Sequence, residues 1–411
     1  MAYMFLVGRG YHGGFKSSEA MTLLLESTTL TVLLTNRGAK MPGFSTIHEL
    51  VNAVSNETRE RIYEAQLRTV LHEKWDDFSK LLVDSTDVEA NTEWPKDSHL
   101  MVRLLSRLLH RSGKLEEVGL TVIDEPRAKS LLKKLARLDR WINMSAHKPG
   151  AARQRKKSYA KMLLMANKAL ALFEPHVQRV EKELGALNVR PSRHHLAQRL
   201  VGWLRADMKS LLQVIECCQA RVMLGEKVPV EQKVLSISDD DAGFIVKGGR
   251  EPTVGYKPQL GRSGAGFIVG LIVPQGNAAD SGQLVPMFNQ VVDRTRVTPT
   301  EVSVDDGYSS REGREAIKKR GTKIVSISGA KGKRLTPSED WEDPDYVAAR
   351  AGRSAIESLM FTLKHGFDFG RVARRGQENV RAEMLEKVLA YNFCRMASRR
   401  QQVHRSDQIA A

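Results

Sequence analysis

Residues 345–367 read DYVAARAGRSAIESLMFTLKHGF, and the rest of the chain is organised around this stretch. Its apolar residues Val347, Ile356, Met360, Leu363 and Phe367 recur near helical spacing. The sequence therefore predicts one helix from about Asp345 to Phe367, with one stripe packed on a sheet. A second stripe carries Arg353, Glu357 and Lys364, which lie four and seven residues apart and align a guanidinium, a carboxylate and an ammonium along one side. In a lone helix such a stripe is usually a solvated salt-bridge face. Two upstream stretches change its meaning. EVSVDDGYSS (301–310) is a β-branched run ending in acids and a Gly-Tyr turn, and SKLLVDSTDVEAN (79–91) is another apolar run that ends in an acid. Two strand-end aspartates and one helical glutamate can make a carboxylate cluster for divalent metal ions.

The 411 residues exceed the needs of one ordinary domain, so two or three structural units are expected. Hydrophobic residues make up 41% of the chain, enough for real cores. Lysine and arginine total 64 against 48 acids, and the formal charge of +16 favours a polyanionic partner, nucleic acid before an anionic membrane surface. Aromatics at 6% argue against serial base stacking on a single strand, and contact with a duplex backbone fits better. Cys217, Cys218 and Cys394 lack zinc-ligand spacing, which points to a reduced, cytosolic chain. No apolar run approaches the ~20 residues needed to span a bilayer. The opening MAYMFLVGRGYHGGF lacks the order of a signal peptide, and its abrupt start leaves room for a preceding segment.

In chain order, residues 1–78 read as a helical N-terminal region that can bind DNA. KSSEAMTLLLESTTL (16–30) has a capping-box-like start, and NETRERIYEAQLRTVLHEKWDDF (56–78) sets Ile62, Leu67, Val70 and Leu71 at helical spacing. Between them KMPGFST (40–46) reads as a turn with a cap at Ser45 or Thr46. This leaves open a helix-turn-helix reader or plain helical packing. Residues 79–97 supply the first strand of a core: Leu81, Leu82 and Val83 form a buried run and Asp84 reaches the sheet surface. Pro95 and Asp97 or Ser98 then introduce a helix with Leu100, Leu104, Leu105 and Leu108 on one face.

Residues 98–228 read as a helical insertion with helices at His99–Arg111, Arg127–Met144, Ala151–Leu184 and His194–Leu224, Gly113 separating the first two and Pro175 interrupting the third. Around a turn and a helix start, KPGAARQRKKSYAKMLL (148–164) gathers Lys148, Arg153, Arg155, Lys156 and Lys157. These are candidates for DNA phosphates as well as for a solvated face. Residues 229–400 return to strands. VLSISDDDAGFIVKGG, TVGYKPQLGR and GAGFIVGLIVPQG read as a meander, followed by helix (277–295), strand (301–304), helix (311–321) and strand (322–328). Joined to the Lys80–Val83 strand, they predict a mixed α/β sheet into which a helical module is inserted. Residues 329–346 read as a polar loop. A closing helix with Val380, Met384, Val388 and Leu389 inward ends near Arg400, and 401–411 form a tail.

Asp84 and Asp305 sit where strands end, and Glu357 can reach the same point from a helix. Two divalent ions held there can activate an attacking oxygen and stabilise a departing one. Strand alternation lets only one of Asp305 and Asp306 face the ions. Asp239, in the acidic run after VLSIS, competes with Asp84, and the residues alone leave that choice open. Asp280 reads as a helix N-cap, Asp87 and Glu89 as surface charges, and His365 as packed or solvent-facing.

LLVDSTDVEANTEWPKDSHL (81–100), GYKPQLGRSGAGFIVGLIVPQGNAADSGQLVP (255–286), EVSVDDGYSS, and RSAIESLMFTLKHGFDFGRV (353–372) followed by EKVLAYNFCRM (386–396) resemble the ordered blocks of bacterial insertion-sequence transposases of the DDE type. The resemblance implies a ribonuclease-H-like fold and a catalytic, metal-binding set of Asp84, Asp305 and Glu357, which favours Asp84 over Asp239. It also implies two Mg2+ ions, with Mn2+ able to substitute, and places Arg353 and Lys364 near the DNA end. Arg350 stands where the family has a tyrosine, and Tyr346 lies one turn earlier. The implied activity is metal-dependent cleavage of transposon ends and strand transfer into target DNA. The implied partners are double-stranded inverted repeats, target DNA and further copies of the chain, in a bacterial cytoplasm and at the nucleoid. An inactive, transposase-derived DNA-binding protein and a simple metal-dependent nuclease are the alternatives.

Overall fold

KLLVDS, the first apolar run of the chain to form a strand among the described residues, lies at the centre of a five-stranded sheet. The computed structural model describes residues 53–121, 123–247 and 251–410, together with 32, 36, 38, 40, 43, 45, 46, 49 and 50. KSSEAMTLLLESTTL and part of the 40–46 turn lie outside the described residues.

The elements follow in order: α1 (Asn56–His72), β1 (Lys80–Ser85), β2 (Val88–Glu89), α2 (Asp97–Glu116), α3 (Glu125–Met144), α4 (Ala152–Ala186), α5 (Pro191–Cys218), β3 (Gly243–Ile245), β4 (Thr253–Tyr256), β5 (Gln259–Ser263) and β6 (Ile268–Ile272). Then come α6 (Leu284–Thr295), β7 (Glu301–Val304), α7 (Arg311–Lys319), β8 (Ile324–Ile327), α8 (Gly329–Leu335), α9 (Ser338–Glu342), α10 (Pro344–Gly352), α11 (Ser354–Gly366) and α12 (Gln377–Ala410). The chain divides into two compact units. One is formed by the described residues up to Thr92 and from Asp241 onward, the other by Glu93–Asp240.

In the first unit the strand order is β6-β5-β1-β7-β8. β1, β7 and β8 run parallel, while β5 is antiparallel to β1 and β6 to β5. Parallel neighbours need a crossover, which α7 supplies between β7 and β8. The parallel strands are nearly wholly buried because helices cover the sheet. α6 approaches closely: a Cβ on Gly270 would lie 2.2 Å from Met287 Sδ, so a larger residue there forces the Met287 side chain to move. α1 and α12 bury Leu67, Val70, Val380, Met384, Val388 and Leu389 in the same core. A second sheet, β2-β4-β3, is antiparallel. The five-stranded sheet is the mixed α/β sheet that the sequence predicts.

The second unit is helical. Leu100, Leu104, Leu105 and Leu108 of α2 pack with Leu131 and Leu135 of α3, Phe173 of α4 and Leu204 and Leu211 of α5. Its core also accepts Val234 and Ile237, so VLSIS is not a strand: its apolar side chains dock on helices, and Arg107 donates to the Ile237 carbonyl. Gly113 and Pro175 both lie inside continuous helices. Leu115 on one side and Phe173 and Val177 on the other are buried, and that packing outweighs about 1 kcal/mol for an interior glycine and ~3 for a proline.

The stretch 345–367 is two helices rather than one. At Gly352–Arg353 the ladder tightens, with Arg353 N–H bonded to Arg350 O and Ile356 N–H to Arg353 O, each three residues back. A glycine beside the joint gives the helix its weak point. Val347, expected inward, is exposed, while Ile356, Met360, Leu363 and Phe367 are buried. The 329–346 stretch, expected as a loop, forms α8 and α9, and the closing helix runs past Arg400 because QQVHRSDQIA holds no Gly or Pro to stop it.

Candidate active site

β1 is held by β7 from Lys80 to Leu82 and by β5 through Ser85, so Asp84 rides on backbone paired to Leu260 just past the point where the β7 pairing ends. Ser85 N–H donates to Asp84 Oδ1 at 2.7 Å. Leu82 is level with Ser303 across the parallel pair, and continuing that register sets Asp84 beside Asp305, the residue that follows β7. Asp305 accepts from Gly307 N–H at 3.0 Å, which turns the chain into a short 3-10 segment. Asp306 points elsewhere and accepts from Gly332 N–H at 2.8 Å and Lys331 N–H at 3.3 Å in α8. Burial raises the Asp306 carboxyl, but the bonds from Gly332 and Lys331 outweigh it and hold the group below the usual range.

Glu357 comes from α11, whose buried Ile356, Leu359, Met360 and Leu363 fix the helix to the core. Asp84, Asp305 and Glu357 all line one cleft of about 490 Å³, with Arg353, Lys364 and Lys247 around them. Asp84 is 8% exposed, whereas the Glu357 side chain is 59% exposed. Burial, and next the charge of Asp84, push the Asp305 carboxyl above its ordinary range; Gly307 and Lys247 pull the other way without cancelling them.

The cations are already engaged. Arg353 bridges two of the acids: its Nη2 bonds Glu357 and its Nη1 lies 3.7 Å from Asp84 Oδ2. Lys247 Nζ lies 3.3 Å from Asp84 Oδ1 and 3.1 Å from Ser85 Oγ, and also donates to the Ser85 carbonyl. Lys364 Nζ sits 3.0 Å from Asp87 Oδ1, so Asp87 is a cleft residue and not a plain surface charge. Phe361 is 66% exposed in the same cleft, its ring 4.2 Å from that of His365 and tilted against it by 45°.

Behind the acids, Tyr308 OH donates to Gln259 Oε1, and Gln259 Nε2 donates to Asp280 Oδ1 at 2.9 Å. Lys257 Nζ holds the same Asp280 oxygen at 2.9 Å. Asp280 thus serves a buried polar chain, and α6 has no side-chain cap. Burial, then the charges of Asp280, Asp84 and Asp305, drive the Tyr308 phenol far above its usual range, so it stays a donor. Tyr346 is buried at 4% exposure, with its oxygen accepting from Ile327 N–H at 3.0 Å and paired with Thr336 Oγ1 at 3.0 Å. It has no free face for a base. Arg350 lies over the Trp341 ring at 4.1 Å.

In the helical unit, Lys148, Arg153, Lys156 and Lys157 are exposed around the start of α4, which has no acid in its first turn and no capping side chain. Arg155 differs, because it donates to the Ser145 carbonyl at the C-terminus of α3. Asp239 is buried in this unit, its backbone N–H on Ser236 Oγ at 2.9 Å. Lys247, Asp87 and the Gln259–Asp280 pair could not be picked out from sequence. No spacing sets Lys247 apart, while Asp87 and Asp280 carry only the local signals of a strand's continuation and a helix start.

Among the described residues no three His, Cys, Asp or Glu side chains form a ready-made metal centre. Glu357 is turned to Arg353 and Asp84 to Lys247. The donor set nevertheless fits a divalent cation: the oxygens are hard, they come from three separate elements, and Asp84 and Asp305 repel each other in a cleft that a cation would neutralise.

The fold is thus a mixed sheet with acids at the ends of adjacent parallel strands and a third acid on a following helix. Residues 231–393 match the family described as Transposase DDE domain. The match supports a DDE transposase of insertion-sequence type, the family whose blocks the sequence resembles. Asp305, Glu357, Arg353, Lys364 and Lys247 fall inside the matched stretch, and Asp84 precedes it. Searches of curated proteins and of solved structures give no match. No helix among the described residues is long and apolar enough to cross a membrane.

Proposed function

We propose that this chain cuts the ends of its own mobile element and joins the freed 3′ ends to target DNA, with Asp84, Asp305 and Glu357 holding the divalent ions. The observation that carries the reading is that these three carboxylates, far apart in sequence, line one cleft. Divalent cations supply charge neutralisation and activation of an attacking oxygen in phosphodiester chemistry. The chain's own side chains do the rest. Arg353 presents a planar fork that suits a phosphate, and Lys364 adds a point charge on the same side of α11. Asp84, fixed by the sheet, sets the position against which Glu357 adjusts. The exposed Lys148, Arg153, Lys156 and Lys157 neutralise phosphates of duplex DNA in this reading, so binding weakens steeply with salt. Arg155 contributes less, being spent on a helix end. Assembly of several copies on paired ends belongs to the same reading.

The test is nicking of supercoiled plasmid carrying the element ends in Mg2+, alongside a gel-shift measurement. Glu357→Gln should lower nicking at least ~100-fold, the scale lost with a group that acts in the transition state, while duplex binding stays within about twofold. Nicking that survives in the variant would reject the assignment.

A further inference from the structure

We infer that Lys247 is the resident counter-ion of Asp84: its ammonium occupies the position beside that carboxylate until a divalent cation displaces it, and it is then delivered to a DNA phosphate. This exchange rests on the three-carboxylate reading of the site and adds to it a residue and a step that the reading does not contain.

Three oxygens of β1 converge on one Nζ: Asp84 Oδ1 at 3.3 Å, Ser85 Oγ at 3.1 Å and the Ser85 carbonyl. An ammonium has three donors and no acceptor, so these contacts use all of its protons. The side chain is 29% exposed and lines the cleft, so it can leave without unfolding a core. Arg353 already covers the second oxygen of Asp84 and reaches Glu357, which leaves Lys247 as the cation on the Oδ1 side. A divalent ion brings twice the charge to the same oxygen, and two cations cannot share it at contact distance. Expelled from Asp84, Lys247 remains tethered just beyond β3, close to the acids, where an incoming phosphate offers the next anion.

The full-length chain tests this without knowledge of the cognate DNA. Mn2+ affinity is measured by titration calorimetry for the wild type, Lys247→Gln, Lys247→Arg and Asp84→Asn. Lys247→Gln should bind Mn2+ about fivefold more tightly, the upper end of what a partly exposed ion pair contributes, and Lys247→Arg should stay near the wild type. In parallel, acetylation of Lys247 by an amine-reactive ester is followed by mass spectrometry. Reactivity should rise several-fold on adding Mn2+, rise equally in metal-free Asp84→Asn, and fall again when duplex DNA is added to the Mn2+ form. Unchanged Mn2+ affinity in Lys247→Gln, or reactivity indifferent to Mn2+, overturns the exchange. Reactivity that rises with Mn2+ but ignores DNA overturns the delivery to phosphate. If Asp84→Asn binds Mn2+ as the wild type does, the carboxylate reading itself fails, and that result is distinct from the others.

Discussion

Lys387→Met should cost this protein about 4 kcal/mol, the middle of the range for breaking a buried ion pair, and the reason lies in how the loop after α11 is tied down. Lys387 is 0% exposed, and its ammonium donates to Asp368 O at 2.9 Å and Arg371 O at 2.7 Å and lies 3.1 Å from Glu383 Oε1. Glu383, itself 1% exposed, accepts from Ala373 N–H at 3.0 Å and Arg374 N–H at 2.8 Å. Methionine matches the volume but leaves a buried carboxylate without its cation and two carbonyls without a donor. Removing one partner of a buried pair costs about 3–5 kcal/mol. The carbonyls add to that, but the two N–H bonds that Glu383 keeps offset part of it, so the middle of the range is expected. Residues 370–372 bond to Glu89 of β2, just beyond Asp87, so the same change loosens one wall of the cleft. Urea denaturation followed by circular dichroism measures the loss, with Glu89→Gln as a control at a 61%-exposed pair, expected within about 0.5 kcal/mol of wild type. A loss below ~1 kcal/mol for Lys387→Met would refute the argument that this pair is structurally required.

Other outcomes follow from the same geometry. Asp305→Asn should raise the thermal midpoint of the metal-free protein at neutral pH. Because burial and the charge of Asp84 hold the Asp305 carboxyl above its ordinary range, folding favours the protonated form, so the wild type loses stability as pH rises through that range; the gain should vanish in acid, where Asp305 is already neutral. Stabilisation that persists at low pH would contradict this. Tyr346→Phe should cost about 1–2 kcal/mol by leaving Ile327 N–H without its acceptor, and should leave duplex affinity unchanged because the ring is buried. A gel-shift deficit in a folded Tyr346→Phe would count against that placement. Gly270→Ala should cost about 1–3 kcal/mol through overlap with Met287, recovered in part by Met287→Ala as judged from denaturation midpoints.

Much of this architecture could be read from the residues, because period-2 and period-3.6 patterns report burial directly. LLVDS is a short apolar run, EVSV and IVSI are short β-branched runs, and all three are strands; the α2 leucine stripe and the inward face of α12 follow helical spacing and are buried. The failures have a common cause in tertiary packing. VLSIS has the composition of a strand, but a helical core offered its side chains a better surface. TVGYKPQLGR looked like one run, yet Pro258 separates β4 from β5 and the two halves join different sheets. Local pattern sets Asp84 only modestly above Asp239, since both follow apolar runs; in the fold they differ in that β1 has two strand neighbours drawn from residues far downstream. Lys247 was invisible for the same reason, because a lysine acquires its meaning only from the carboxylate that the fold sets before it.

The central position of β1 has a consequence for the birth of the molecule. Its partners are Gln259–Ser263 and Glu301–Val304, so a nascent chain that has emerged only as far as the helical unit carries Asp84 on a strand with nothing to pair with. Contacts this distant in sequence form late. Translation products that stop before β7 therefore hold neither a completed sheet nor Asp305 and Glu357, and under the proposed three-acid chemistry they are harmless to the host chromosome. Under that same proposal, the three acids are complete only when synthesis has passed α11.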